Sequence, residues 1–172
     1  MVSMILKLLE PPIRIGAETV DDEGIKNSAD AIADLKVKLS INTHYIYIFR
    51  LFDAFIPYPK AYGRVIYIGE FKRSENPYMR NHHQLQFTNN TQNNIGIFNY
   101  ANEKGIELSH YTLISESPTE ELRKEIESQL LSTHTKRYGC LPICNKKAGN
   151  GMGNGGAQDA ISQNINDLLY LL

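Results

Sequence analysis

Tyrosine, arginine and glutamate residues follow one another in an order that could serve the hydrolysis of phosphodiester bonds. Tyr47 and Tyr67 fall in two short strand-like segments. Arg80 and Glu127 fall in helix-like segments further along the chain. Hydrolysis needs a group that activates water, groups that place the phosphate, and positive charge near the oxygens that become more negative. A bound metal commonly supports the leaving oxygen. These residue types could together supply a metal-dependent hydrolytic site.

Glu127 has further support from the pattern of its own segment. At about 100° per residue it shares a helix face with Leu130 and His134. A carboxylate on an apolar edge is costly unless it is paired or binds a cation. A hard oxygen ligand of this kind suits Mg²⁺ or Mn²⁺, and a buried ion pair is the alternative.

The patterns around these residues predict an α+β fold, with a small central antiparallel β-sheet flanked by helices. Alternation predicts about three strands, over residues 45–51, 64–69 and 107–115. Apolar positions three or four residues apart predict helices over residues 21–39, 77–87, 95–104 and 117–138. A polar loop is expected over residues 88–94. The first two strands should form an antiparallel hairpin, because a turn-rich loop joins them.

The 172 residues are predicted to form a single domain. Its core is expected over about residues 41–147, after an N-terminal helical extension over residues 1–40. A glycine-rich hinge and an amphipathic C-terminal helix are expected over residues 148–172. That helix could join two subunits into a homodimer or pack against its own domain.

Bulk composition narrows the class of protein. The net charge of −1 means that a nucleic-acid partner would require a local basic surface. No apolar run approaches the roughly 20 residues of a membrane span, so no membrane partner is expected. Cys140 and Cys144 are too few for a secreted disulfide scaffold, and their spacing from His134 is unlike that of structural zinc sites. A cytoplasmic location is therefore expected.

Two tripeptides resemble the paired strands of the GIY-YIG nuclease family. Tyr67-Ile68-Gly69 matches the second tripeptide of the family, and Tyr45-Ile46-Tyr47 is similar to the first. Tyr45 stands where the family has glycine. The loop between the tripeptides is also longer than in the compact repair members of the family.

The resemblance continues beyond the two tripeptides. Arg80 followed by His83 is similar to the arginine-then-histidine pattern of the family. The segment from Glu127 to Asn145 resembles the stretch that carries the metal-binding glutamate and a closing asparagine. The similarity spans about residues 45–147, so both ends of the chain fall outside it.

The resemblance implies a GIY-YIG-like fold and a metal-dependent DNA endonuclease of the type II restriction kind. Tyr47 would accept the proton of the attacking water, and Tyr67 would orient the water or the phosphate, although these two roles could be exchanged. Arg80 would hold the scissile phosphate, and Glu127 would bind Mg²⁺ or Mn²⁺. Asn145 would fix the geometry of the site.

Further residues complete the implied site. His83 joins the catalytic group. The candidate contacts with the backbone of double-stranded DNA are the basic residues Lys72, Arg73, Lys146 and Lys147. Each of these four could equally be an ordinary solvated charge.

Two other functions remain open at this point. The glycine replaced by Tyr45 leaves room for a catalytically inactive DNA-binding module that keeps the fold. The tyrosines could also be ordinary core residues, because tyrosine favours strands. In that case the chain would be a structural or assembly protein whose C-terminal tail mediates oligomerisation.

Overall fold

A computed structural model describes residues 5–16, 25–26, 30, 33, 39–73 and 92–146. The strands and helices in these ranges are β1 Ile5–Ile15, β2 Ile25–Lys26, β3 His44–Leu51, β4 Ile56–Pro57, β5 Tyr62–Gly63, β6 Val65–Lys72, α1 Gln92–Lys104, β7 Ile106–Ile114 and α2 Glu120–Tyr138. The predicted α+β class is therefore confirmed. The helix predicted over residues 77–87 and the C-terminal helix lie outside the described residues.

The main sheet has the strand order β2-β1-β7-β3-β6. The strands β3, β6 and β7 are those predicted from alternation, and β3 pairs antiparallel with both of the others. The predicted hairpin of β3 and β6 is confirmed. The sheet is larger than the three strands expected, because β1 and β2 extend it beyond β7. The strands β4 and β5 form a separate two-stranded sheet in the connection between β3 and β6.

The N-terminal helical extension predicted over residues 1–40 is wrong over residues 5–15 and 25–26, whereas Asp30 and Ala33 are helical as predicted. Ile5–Ile15 is a strand that pairs antiparallel with β7, and Ile25–Lys26 pairs parallel with β1. The register of β1 shifts between Leu9 and Ile13, where three residues stand opposite Ser109. Two of these three are prolines, which lack the N–H that a regular ladder requires and are tolerated at bulges.

The bulge explains why sequence patterning missed β1. The bulge adds two residues to β1. Because two is an even number, the side chains before and after the bulge point to the same faces of the sheet as they would in a regular strand. Leu9 and Ile13 accordingly pack in the same apolar cluster, as does Ile15. The residues Glu10-Pro11-Pro12 break the visible alternation without ending the strand.

Both faces of the sheet are apolar. The odd-numbered residues of β3 point to one face, here called the tyrosine face, and the even-numbered residues point to the other, here called the α2 face. The tyrosine face carries Tyr45, Tyr47 and Phe49 together with Ile97 and Ala101 of α1. On the α2 face, Ile46, Ile48 and Ile68 pack against Ile126, Leu130 and Leu131 of α2. The two helices thus cover opposite faces of the sheet.

Helix α2 has well-defined ends. Thr119 is its N-cap, and the Thr119 side chain accepts a hydrogen bond from the backbone N–H of Leu122. The helix therefore begins three residues later than the predicted start at residue 117. Gly139 ends it in the left-handed conformation, with φ of 89°, which glycine adopts without steric cost.

Helix α1 is longer at its N-terminus than predicted. Residues 92–94 are helical, so the polar loop predicted over 88–94 is wrong at that end. Its predicted end before Gly105 is confirmed.

Within the described part of the chain, no helix has both the length and the apolar character that crossing a membrane requires.

A buried polar cluster joins the first half of α2 to the edge of the sheet. The Arg123 guanidinium forms an ion pair with Glu70 on β6. It also donates to Nδ1 of His44 on β3, at 2.9 Å. All three side chains are buried. Burial, and then the nearby Arg123 charge, lower the pKa of His44, so that the ring remains a neutral acceptor.

Replacing Arg123 with methionine should be strongly destabilising. It would remove the guanidinium that the buried Glu70 carboxylate contacts, and breaking a buried pair in this way costs about 3–5 kcal/mol. The free energy of unfolding in urea would measure the effect. The double variant Arg123→Met/Glu70→Gln should be destabilised by much less than the sum of the two single variants, because neither charge then remains. Additive effects would contradict this account.

Candidate functional site

The pairing of β3 and β6 brings Tyr47 and Tyr67 together. Phe49 stands opposite Tyr67, and Tyr47 stands opposite Gly69. The two tyrosines are therefore diagonal neighbours on the tyrosine face. Their rings stack with centroids 5.8 Å apart and an interplanar angle of 29°. The strand register thus places two phenol rings side by side.

Gly69 is required by the position of the Tyr47 ring. A Cβ added at Gly69 would lie 2.4 Å from Cζ and 2.5 Å from the hydroxyl oxygen of Tyr47. Such contacts are far shorter than van der Waals packing permits. The hydroxyl end of Tyr47 therefore lies directly over the Gly69 backbone. This gives a steric reason for the glycine that follows Tyr67 and Ile68.

The two tyrosines differ in exposure. Tyr47 is 0% exposed, whereas Tyr67 is half-buried. Tyr47 is enclosed by Phe49 and Phe71, whose ring centroids lie 5.9 and 5.7 Å away. Tyr67 is thus the residue of the pair with more access to a substrate.

His110 is a neighbour of Tyr47 that sequence reasoning did not select. It stands opposite Tyr47 on β7, and the two rings stack at 6.1 Å. The imidazole is 3% exposed. The alternation of β7 places His110 on the same face as Leu108. This position on the apolar face was the sequence signal that could have identified His110. His110 is therefore a buried polar neighbour of the candidate catalytic tyrosine.

Tyr45, which stands where the GIY-YIG family that the sequence resembles has glycine, has a packing role. Its ring stacks on Phe71 with centroids 5.3 Å apart. Its hydroxyl accepts a hydrogen bond from the backbone N–H of Ser40 at 2.8 Å. The residue is buried. Tyr45 therefore fills the tyrosine face beside Tyr47 and fixes the chain that enters β3.

Asn145 pairs with the edge strand between the two motif residues of β6. Its Oδ1 accepts from the backbone N–H of Ile68 at 3.0 Å, and its Nδ2 donates to the Ile68 carbonyl at 2.8 Å. The backbone N–H of Cys144 also donates to the Ile66 carbonyl, at 2.9 Å. The chain after α2 thus satisfies the outer edge of β6, next to Tyr67.

The connection between β3 and β6 holds this segment in place. Tyr58 donates from its hydroxyl to the Val65 carbonyl at 2.5 Å and accepts from the backbone N–H of Ile143 at 3.2 Å. Burial raises the pKa of Tyr58 well above its ordinary value, so the hydroxyl keeps its proton. The His134 ring lies edge-on to it, with centroids 5.0 Å apart. Loop, helix and closing segment thus form one packed unit.

Glu127 lies on a different side of the molecule from the tyrosine pair. It is half-buried and is carried by α2, whose apolar residues pack on the α2 face. Tyr47 and Tyr67 lie on the tyrosine face. A shared site could therefore form only around the edge strand β6. Among the residues that the structure describes, no group of three or more His, Cys, Asp or Glu side chains could hold a metal ion.

The structure describes three of the remaining predicted site residues, Lys72, Arg73 and Lys146. Lys72 and Lys146 are exposed and Arg73 is half-buried. Lys72 and Arg73 lie at the C-terminal end of β6, and Lys146 follows Asn145. Arg80, His83 and Lys147 lie outside the described residues.

Comparisons with protein-family models, with curated proteins and with solved structures found no match to this chain. The functional interpretation therefore depends on the geometry above and on the motif resemblance.

Replacing Asn145 with aspartate should free the outer edge of β6. The new oxygen would face the Ile68 carbonyl in place of the Nδ2 donor, so one hydrogen bond becomes a repulsion, at a cost of about 1–3 kcal/mol. Hydrogen exchange of the Ile68 amide should become faster, and the melting temperature should fall. Asn102→Asp, an exposed change of the same chemistry on α1, is the control. Unchanged exchange at Ile68 would contradict the assigned bonding.

The stability of the fold should decrease as the solution becomes acidic. His134 is fully buried, and its Nδ1 lies 2.8 Å from the Cys140 carbonyl. Its Nε2 has no hydrogen-bond partner among the described residues. Burial lowers the pKa of His134 below its ordinary value, so the unfolded chain binds this proton more readily than the folded one. The stabilisation is complete above the unfolded pKa of about 6.5 and is lost as pH falls through the lower folded value.

The variant His134→Asn tests this pH dependence. Asparagine can keep a donor near the Cys140 carbonyl but does not titrate, so the stability of the variant should fall less than that of wild type between about pH 7.5 and pH 5.5. His44→Asn should remove a further part of the decline, because the pKa of His44 is also lowered. Melting curves across this range would measure it. An equally steep decline in both variants would show that other groups are responsible.

Proposed function

We propose that the protein is a metal-dependent endonuclease that hydrolyses phosphodiester bonds in double-stranded DNA. The observation that carries the proposal is the Tyr47–Tyr67 pair, stacked at 5.8 Å with Gly69 beneath Tyr47. Asn145 supports it, because its amide fixes the strand between Tyr67 and Gly69.

Exposure favours Tyr67 as the residue that contacts the attacking water. Its hydroxyl would orient the water and receive or relay its proton. Tyr47 is fully buried, so it would position Tyr67 through the ring stack. This reverses the order of roles preferred from the sequence. A free tyrosine has a pKa of about 10, so positive charge is needed nearby, and we assign that charge to Arg80.

Glu127 is the residue that would hold the metal. Its half-buried carboxylate is a hard oxygen donor of the kind that Mg²⁺ and Mn²⁺ prefer. A single carboxylate fits a metal whose other ligands are water and phosphate oxygens, rather than a closed protein cage. When bound, such a metal polarises the phosphate and supports the leaving oxygen.

The edge strand β6 is the place where these groups can act on one phosphate. Tyr67 belongs to that strand, and Asn145 lies along its outer edge. Glu127 is on the helix that packs against the opposite face of the same strand. Because Cys144 and Asn145 cover this edge at Ile66 and Ile68, a phosphate shared by Tyr67 and Glu127 would have to lie beside that segment. Lys146 and Lys72 would contact the flanking backbone.

Cutting at a defined sequence, as type II restriction enzymes do, is the finer part of the proposal. In this form two copies joined through the C-terminal tail would cut the two strands of a symmetric site. His83 would assist Arg80 at the phosphate.

Cleavage of supercoiled plasmid in Mg²⁺ or Mn²⁺ tests the proposal. Wild type should nick or linearise the DNA, and EDTA should stop the reaction. Glu127→Gln, Tyr67→Phe and Arg80→Ala should each reduce the rate by about a hundredfold or more. Glu121→Gln is the matched control, since Glu121 is an exposed carboxylate on the same helix. It should cut as wild type does.

Two outcomes would overturn the nuclease proposal. Wild type that binds DNA without cutting it under any metal condition would favour the inactive DNA-binding module. Wild type that neither cuts nor binds DNA at low salt would favour a structural protein. Normal cutting by Glu127→Gln would refute the metal assignment alone.

A further inference from the structure

The connection between β3 and β6 carries the most exposed aromatic side chains of the described residues. Tyr62 is 73% exposed and Phe55 is 65% exposed. Phe55 directly precedes β4, and Tyr62 is the first residue of β5. The turn of the short hairpin that these two strands form closes with a hydrogen bond from the Tyr58 N–H to the Ala61 carbonyl at 3.1 Å. Two prolines in this hairpin, Pro57 and Pro59, restrict the backbone. The aromatics are therefore presented from a fixed support.

The tip of the hairpin docks on the C-terminal end of α2. The backbone N–H of Lys60 donates to the Tyr138 carbonyl at 3.1 Å, and Lys60 Nζ donates to the Lys136 carbonyl at 3.4 Å. Lys136 and Arg137, in the last turn of the helix, are exposed. We call the set Phe55, Lys60, Tyr62, Lys136 and Arg137 the basic hairpin surface.

The first and last turns of α2 carry charges of opposite sign. The first turn carries Glu120 and Glu121, and the last turn carries Lys136 and Arg137. The helix rises by about 24 Å between Glu120 and Lys136, which is more than two Debye lengths in physiological salt. Asp53 is the acidic residue of the hairpin segment and lies at its base. The surface is thus locally positive although the chain has a net charge of −1.

A short stretch of chain links the hairpin surface to the candidate site. The hairpin leads directly into β6, and Tyr62 precedes Tyr67 by five residues, at most about 17 Å along an extended chain. This distance is about five base pairs of duplex DNA. DNA with a phosphate at Tyr67 would therefore reach the hairpin within a few base pairs.

We infer that the basic hairpin surface binds the DNA backbone and groove that flank the scissile phosphate. Lys60, Lys136 and Arg137 contact phosphates, and Tyr62 contacts sugars or base edges in the groove. Lysine and arginine interleaved with exposed aromatics suit a polyanion whose backbone surrounds apolar base and sugar surfaces. The inference rests on the proposed function, because it takes DNA as the substrate.

Direct DNA binding by the full chain, without cleavage, tests the inference. Fluorescence anisotropy would follow a labelled 30-base-pair duplex in EDTA at several salt concentrations. Lys60→Glu/Lys136→Glu should weaken binding by tenfold or more. It should also lower the slope of log affinity against log salt by about one to two units, since each phosphate that is no longer neutralised reduces the slope by about one unit. Tyr62→Ala should weaken binding with little change in that slope.

Lys104→Glu is the matched control, since Lys104 is an exposed lysine in the last turn of α1. It changes the same charge as the single variant Lys136→Glu, in the last turn of the other helix, so any weakening by Lys136→Glu beyond that of the control belongs to the hairpin surface. If wild type cleaves DNA and the hairpin variants bind as tightly as Lys104→Glu, the inference is wrong and the nuclease proposal stands. If wild type neither cuts nor binds DNA, both fail together.

Discussion

The close approach of the Tyr47 ring to the Gly69 backbone constrains the arrangement of the candidate site. With no side chain at Gly69, the phenol can lie flat across β6 and end with its hydroxyl over that strand. This leaves Tyr67, two residues earlier, as the ring against which Tyr47 stacks. Packing rather than hydrogen bonding therefore sets the relative position of the two phenols. A rigid aromatic neighbour is a suitable support for a hydroxyl that must act at one place.

A second constraint acts on the outer edge of the same strand. An edge strand exposes a row of unpaired N–H and C=O groups, which proteins cover or blunt. Here the Asn145 amide and the Cys144 N–H cover the Ile66–Ile68 stretch. The end of α2 is thereby tied to β6 on the side that faces away from β3. Hydrogen bonds thus connect the two strands that carry the tyrosines to the segment that follows α2, the helix that carries Glu127. The tyrosine pair and α2 nevertheless lie on opposite faces of the sheet.

Sequence patterns predicted the parts of this frame that depend on local periodicity. Strands β3 and β7 and the C-terminal end of α2 follow from alternation, helical spacing and Gly139. Strand β1 was missed because its two prolines fall in a bulge that only the pairing with β7 makes tolerable. The helical pattern also placed Glu127 on the inward side of α2, but periodicity carries no information about which face of the sheet a helix covers. The burial of Tyr47 and the role of Asn145 likewise depend on contacts between distant parts of the chain.

The distribution of charge explains how a weakly acidic chain can still suit a polyanion. The buried ion pair Arg123–Glu70 and the partly buried pair Arg50–Glu107 lie on the α2 face, where each cation is compensated by its neighbour. Pairs of this kind contribute little field beyond a few ångströms, since opposite charges at contact distance cancel. Several exposed cations lie at the hairpin end of β6, beside Asn145 and at the far end of the strand, namely Lys60, Lys136, Arg137, Lys146 and Lys72. Because the acidic start of α2 is screened from the hairpin end by distance and salt, the potential along this edge is set by local lysines rather than by the net charge.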